Sequence, residues 1–482
     1  MAPTEAVDWP TDEWSLSTPE EQGMDSAVLA DMVDQVASQP GIDSVTVVRN
    51  GHVVLDAVVY PVGNDDPHIV HSCTKSVVAT LIGIAIDQGL LAGVDVPVVE
   101  ILGDAAPETV DDRKAAMTVE DLLTMSTGLD CRDSYIYEWK GMVDMMQSED
   151  WTAHVLALPM RNEPGTQFEY CNGSSFLLSA ILSEVTGMSA SAYADQVLFG
   201  PLGFGGFEWP ANPDGITMGW GELWLHRVDM AKFGYLYLRD GEWDGTQLVP
   251  AAWVETATAK HIPAGTLADG YGYQWWITDA GYAMALGWGG QYIFVMPDHD
   301  LVMVVTSGLP GGRFGIPHDL ATRYVIRAAV SDTPLPEDRD AQGRLAAAVA
   351  TVAAAPEPEP VTLPELHSTI GPSRYEFDAS ELGDVRFGLW FESDAAFLRV
   401  EVSGERAEAE IGLDGRYARA ENFPLALRGR WRTEDTFAID YQVVGGVERG
   451  TLEFRFAGDT AEVTYTESSG GVFGRTSAER VS

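Results

Sequence analysis

The chain has 482 residues, 45% of them apolar and 10% aromatic, enough to bury a large core and to build more than one domain. Asp and Glu number 73 against 29 Lys and Arg, a formal net charge of -44 that disfavours nucleic acid, anionic membranes and anionic substrates. The acids are dispersed and the only lysines are Lys75, Lys114, Lys140, Lys232 and Lys260, a surface of the salt-adapted kind, with an acidic mesophilic protein as the alternative.

Residues 1–8 lack a basic start and an apolar core, so they do not read as a secretory signal, and no stretch is long enough for a transmembrane helix; a cytoplasmic location is expected. Residues 45–49 and 53–60 flank Asn50-Gly51, a hairpin signal. After the extended stretch 68–71, residues 77–86 are apolar on nearly every face and read as a buried central helix. Ser72-Cys73-Thr74-Lys75 lies at its start. Residues three apart on a helix share a face, so Lys75 can reach the Ser72 hydroxyl. A desolvated lysine with a lowered pKa can take the serine proton, and free amides at a helix start favour the negative charge of acyl transfer. A helix N-cap is the commoner role for such a serine, so this motif alone is weak.

Tyr170-Cys171-Asn172 follows the turn signal Pro164-Gly165 and precedes a helical pattern over 176–185 that ends near Gly187, which places Tyr170 and Asn172 on a loop. Beside a cationic lysine, Tyr170 could have a lowered pKa and serve as base or proton relay; taken singly, the pair reads as hydrogen-bonded loop residues. Trp288-Gly289-Gly290 opens a hairpin of strands 292–296 and 301–305, and glycines there let a substrate approach the backbone. Trp288 is a pocket wall or a core residue, and Trp275-Trp276 reads as core. With the first hairpin, this predicts an antiparallel sheet assembled from both ends of the region, with helices and site loops between.

The three cysteines, Cys73, Cys131 and Cys171, fit neither a disulfide framework nor a zinc pattern. Cys73 and Cys171 adjoin Ser72 and Asn172, should lie near one another, and read as small buried packing groups. The nine histidines are scattered, so no metal or other cofactor is expected. Residues 344–354 form an alanine-rich helix candidate, and 356–360 alternate Pro and Glu as a stiff linker. Short alternating strands follow at 387–391, 397–402, 437–443, 451–456 and 461–465, the pattern of an all-β barrel or sandwich. The expected domains are therefore 1–332, a helix and linker over 333–365, and a β domain over 366–482.

Ser-x-x-Lys, Tyr-x-Asn and a late glycine-rich triplet, in that order, resemble the serine β-lactamase and penicillin-binding-protein superfamily. The nearest branch resembles the class C-related esterases (family VIII carboxylesterases), with D-aminopeptidases and 6-aminohexanoate-dimer hydrolases close by. Leu122-Leu-Thr-Met-Ser-Thr-Gly-Leu129, Met230-Ala-Lys-Phe-Gly234 and Gly241-Glu-Trp-Asp-Gly245 support it, and the likeness covers roughly residues 15–330, most of the chain.

The resemblance implies an α/β (α+β) fold with an antiparallel sheet flanked by helices and a mostly helical subdomain, ahead of the separate β domain. It implies that Ser72 is the acylated nucleophile and that Lys75 and Tyr170 share the proton transfers. Asn172 would orient Lys75 or the acyl carbonyl, and the amides of Ser72 and Gln291 would form the oxyanion hole. Trp288, Gly289 and Gly290 would bind substrate. β-Lactamases and peptidases of the superfamily usually carry Lys-Thr-Gly here, whose lysine helps bind a carboxylate, whereas Trp288 is uncharged. That departure favours a serine hydrolase of small neutral esters, or of amides, over a β-lactamase or D-amino-acid-specific peptidase. A non-catalytic penicillin-binding-type sensor or scaffold is the third reading. The expected partner is a small molecule, with no nucleic acid and no membrane, and homo-oligomers stay open.

Overall fold

Asn50 and Gly51 take positive φ values of 49° and 81°, and this turn folds β1 (Ile42–Arg49) antiparallel onto β2 (His52–Val58) in the computed structural model. The structure describes residues 9–481 apart from 108–109, 134–138, 266, 371–373, 379–384, 393–394, 403 and 468–472. Five further strands complete the first sheet: β3 (Gly270–Tyr271), β4 (Trp276–Ile277), β5 (Ala283–Gly287), β6 (Gln291–Met296) and β7 (Leu301–Ser307). Their order is β2-β1-β7-β6-β5-β4-β3, so β1 and β7 pair at its heart, with Val45 opposite Val305 and Val47 opposite Met303. Every residue of β1, β6 and β7 is buried, as their runs of branched apolar residues require of strands covered on both faces.

Helices share the buried core of this sheet, and two of them carry the candidate site. Among them are α1 (Ser26–Ala37), α2 (Thr74–Asp87), α3 (Asn172–Thr186), α4 (Arg227–Leu238) and α5 (Arg339–Ala353). In α2, Val77, Val78, Leu81, Ile82 and Ile84 are at most 3% exposed, and each contributes about 1.5–3 kcal/mol by leaving water. α3 packs against α2 and ends at Gly187, whose φ of 69° suits a left-handed helix cap. The alanine-rich helix starts at Arg339, earlier than expected, and buries Leu345 and Val352 against the first core, contacting α1 and β2.

Beyond residue 370 a second hydrophobic cluster forms. Its strands are β8 (Arg374–Asp378), β9 (Val385–Phe391), β10 (Ala396–Val402), β11 (Glu405–Ile411), β12 (Ala418–Arg419), β13 (Leu425–Trp431), β14 (Thr436–Val443), β15 (Arg449–Ala457), β16 (Thr460–Glu467) and β17 (Phe473–Val481). They run β11-β10-β9-β8-β17-β16-β15-β14-β13-β12, each antiparallel to its neighbour. Gly412, just past β11, bonds the carbonyl of Leu427 and the amide of Gly429 at 3.1 and 2.8 Å, which stitches one edge of the ribbon to β13 near the other. The predicted segments here fall within β9, β10, β14, β15 and β16. The strands not foreseen include β11 and β13, where glutamates and arginines blur the alternation.

The two parts are tied by charge. Arg449 of β15 reaches Asp43 of β1 at 2.7 Å, and Gln442 and His68 reach the same carboxylate at 3.1 Å each. Arg419 pairs with Asp66 at 2.7 Å, and the Tyr60 hydroxyl accepts from the Tyr417 amide at 2.7 Å. No single helix among the described residues is long and apolar enough to cross a membrane.

One expectation fails. Cys131 and Cys171 form a disulfide, 40 residues apart in sequence, and Cys73 is the free, buried thiol. Three cysteines gave no pairing signal, and the link depends on a loop that returns to the start of α3.

Candidate active site

A short extended segment delivers the chain to Ser72. The Ile69 amide bonds Gly445 O in the hairpin between β14 and β15, and the Val70 amide bonds Leu223 O, both at 2.8 Å. A 3-10 turn, His71–Cys73, then leads into α2. His71 has a φ of 44°, an uncommon left-handed state for a residue with a side chain, so the backbone is held out of its ordinary range one step before the serine. Burial, with the nearby charges of His68 and Lys75, pushes His71 down to about 3, so it is neutral; its Nε2 has no hydrogen-bond partner among the described residues.

Lys75 lies one turn on and is 1% exposed. Its Nζ stands 2.9 Å from Ser72 Oγ, 2.8 Å from Asn172 Oδ1 and 2.7 Å from Trp220 O. Burial pushes the Lys75 pKa down to about 7 against the opposing pull of Asp133 and Cys73. In the neutral amine, donation to Asn172 and Trp220 uses both N–H bonds and leaves the lone pair facing Ser72. The arrangement can therefore pass a proton from Ser72 to the free amine.

The Tyr170 ring lies 4.9 Å from Lys75 Nζ, and its phenol interacts with the Ser72 side chain. The ring stacks on Trp276, with centroids 5.9 Å apart and planes 19° from parallel. Its acidity differs from the expectation. Burial raises the phenol pKa, and the interaction with Ser72 only partly opposes this, so Tyr170 keeps its proton at neutral pH. Asn172 is the first residue of α3 rather than a loop residue, which fixes its side chain on a rigid element.

Beneath Asn172 lies a residue the motifs did not indicate. Asp133 Oδ2 accepts the Asn172 amide at 2.7 Å and Oδ1 accepts the Met142 amide at 2.6 Å. Burial pushes Asp133 up to about 6, while those amides and Lys75 pull the other way. The Cys131–Cys171 disulfide joins the residues two before Asp133 and one before Asn172.

The turn after β5 is built from behind. The Gln291 side chain spans Trp288 O and Ser307, and Ser307 Oγ donates to Gly289 O and Gly290 O. Gly289 and Gly290 have φ values of 76° and 89°, and a Cβ on Gly289 would run into Val447 in the hairpin turn between β14 and β15. Ser72, Asn172 and Trp288 line one cavity of about 280 Å³ with His71, Trp139, Met142, Trp220, Gly221 and Glu222. Gly289, Gly290 and Gln291 lie outside that lining: Gln291 is fully buried and in register with Gly287.

An antiparallel sheet beside a helix that offers a serine to a buried lysine defines a hydrolase of β-lactamase fold. The chain belongs to the Beta-lactamase family, whose profile matches residues 29–325. It is 24% identical over 300 residues to the 6-aminohexanoate-dimer hydrolase of Paenarthrobacter ureafaciens, covering 58% of this chain and 75% of that protein. EstCE1, described as a hydrolase with promiscuous acyltransferase activity, superposes with a TM-score of 0.52 at 16% identity over 64% of this chain and 99% of that one. A penicillin-binding protein homolog from Caulobacter crescentus gives 0.51 at 18% identity, covering 65% and 98%.

Proposed function

We propose that the protein is a serine hydrolase that cleaves small uncharged esters, and amides more slowly, through an acyl-enzyme on Ser72. The observation that carries this reading is the Lys75 amine, buried, lowered to about 7 and 2.9 Å from Ser72 Oγ. Lys75 takes the Ser72 proton as Oγ attacks the carbonyl carbon. Tyr170, kept protonated by burial, gives its proton to the departing oxygen or nitrogen, and the Lys75 ammonium makes good that loss. Water then attacks the acyl-enzyme with the same groups in reversed roles.

For the oxyanion we keep the Ser72 amide and replace Gln291 with Trp288. Trp288 lines the cavity with Ser72, and neither amide has an acceptor among the described residues. Asn172 is a positioning residue for Lys75. Residues 366–482 act as an accessory domain docked beside the site through residues 445–449. Esters rank above amides because an alkoxide leaves more readily. A cavity without Lys or Arg in its lining lacks the cation that a β-lactam or peptide carboxylate would need.

The test is hydrolysis of p-nitrophenyl butyrate by wild type and Ser72→Ala, in moderate and high salt. Turnover that falls by roughly three orders of magnitude or more in Ser72→Ala is expected. Equal rates in the two proteins, or none in wild type, would overturn the esterase reading.

A further inference from the structure

We propose that Glu222 turns the Ser72 cavity into a subsite for cations, so that the hydrolase prefers substrates carrying an ammonium end. The inference rests on the serine-hydrolase reading of Ser72 and revises only its substrate class, from uncharged to cationic.

The segment 220–222 is wedged into the site. Trp220 O accepts from Lys75 at 2.7 Å, and the open side of Gly221 faces the His71 backbone, where a Cβ would stand 3.8 Å from the carbonyl carbon. Glu222 is therefore the next residue along from contacts on both flanks of Ser72. It holds a φ of 64°, a state that favours glycine, and it lines the cavity that Ser72 lines. Among the described residues its carboxylate has no hydrogen bond or ion pair. Burial raises its pKa, and Glu448, from the hairpin between β14 and β15, pushes it the same way. A carboxylate disfavoured by both desolvation and a like charge gains most when a cation arrives.

The rest of the cavity suits that guest. Trp139, Trp220 and Trp288 line it with indole rings, and Trp139 and Trp288 meet edge to face with centroids 5.7 Å apart. An ammonium gains by lying over such rings. Among the described residues no lysine or arginine side chain lines the cavity, His71 is neutral, and Lys75 is occupied by Ser72, Asn172 and Trp220. About 280 Å³ admits a short alkylammonium chain. The net charge of -44 adds a favourable long-range field.

Two isosteric esters test the proposal. One is p-nitrophenyl 6-(trimethylammonio)hexanoate and the other is its neutral carbon analogue, p-nitrophenyl 7,7-dimethyloctanoate. In moderate salt, wild type should show kcat/KM roughly tenfold or more in favour of the cation, and Glu222→Gln should bring the ratio near unity. A ratio near unity in wild type, or one unchanged in Glu222→Gln, overturns the subsite. Binding of hexyltrimethylammonium by calorimetry reads the same subsite without turnover. Saturable binding that weakens roughly tenfold in Glu222→Gln is expected, and no binding, or equal binding, overturns it. If neither ester is cleaved, the hydrolase reading fails and the binding result alone decides the subsite.

Discussion

The Asp133 carboxylate accepts the backbone N–H of Asn172 at 2.7 Å, and Asn172 Oδ1 in turn accepts Lys75 Nζ at 2.8 Å. One carboxylate thus fixes where α3 begins and sets the negative charge near Lys75. Asp133→Asn removes that charge and leaves one carbonyl oxygen to serve two amides. Because Asp133 raises the Lys75 pKa, the acid limb of the kcat/KM profile should move to lower pH in the variant. Its plateau should fall roughly tenfold as Asn172 loses its anchor. A limb that stays in place would reduce Asp133 to a packing role.

The wild-type profile follows from Lys75 itself. With its pKa lowered to about 7 by burial, the free amine accumulates as pH rises through that value. Activity on a neutral ester should climb between about pH 6 and pH 8 as one proton is lost, then level off. Lys75→Arg keeps a cation that never deprotonates, so activity should fall by roughly 10³-fold without recovering at higher pH. Steady-state kinetics of both proteins across that range decide the point.

Local patterning made much of this site legible. Ser72 and Lys75 are three residues apart where a 3-10 turn runs into a helix apolar on nearly every face, and Asn50-Gly51 and the 297–300 turn mark the two hairpins that meet in the sheet. Asp133, Glu222 and the Cys131–Cys171 link were not legible, because each acts through a contact far away in sequence and none repeats with a structural period. The Tyr170 pKa was misjudged for a similar reason. A neighbouring lysine can be read from motifs, whereas the burial that raises the phenol comes from the whole fold around it.

The disulfide supports the same corner. It closes a 40-residue separation between Cys131 and Cys171, and constraining the unfolded chain to that extent is worth about 2–4 kcal/mol. The Cys131→Ser, Cys171→Ser double variant should lose about that much in urea unfolding, with a steeper denaturant slope because the unlinked unfolded chain exposes more surface. Activity should fall more steeply than stability requires, since Asp133 and Asn172 lie within two residues of the bond. Equal stability with and without reductant would remove the bond from the account.

Arg449 and Asp43 lock the C-terminal sheet to β1. Asp43 is 2% exposed and meets Arg449 at 2.7 Å, with His68 and Gln442 on the same carboxylate. Burial raises the Asp43 pKa, but Arg449 and His68 outweigh it and hold it below the usual 3.8. A carboxylate with a depressed folded pKa binds fewer protons when folded than when unfolded. Its stabilisation is therefore complete above the unfolded value and is lost as pH falls through the folded one. Arg449→Met strands the buried charge and should cost about 3 kcal/mol at neutral pH, with a smaller deficit once acid protonates Asp43. Pairing it with Asp43→Asn should recover part of that loss. The Ile69 amide, three residues before Ser72, bonds Gly445 O in the hairpin that leads into Arg449, so loosening the lock should also lower turnover. Thermal unfolding at two pH values with ester kinetics on the same samples measures both effects. A variant that loses stability yet keeps full kcat would uncouple the C-terminal sheet from the site.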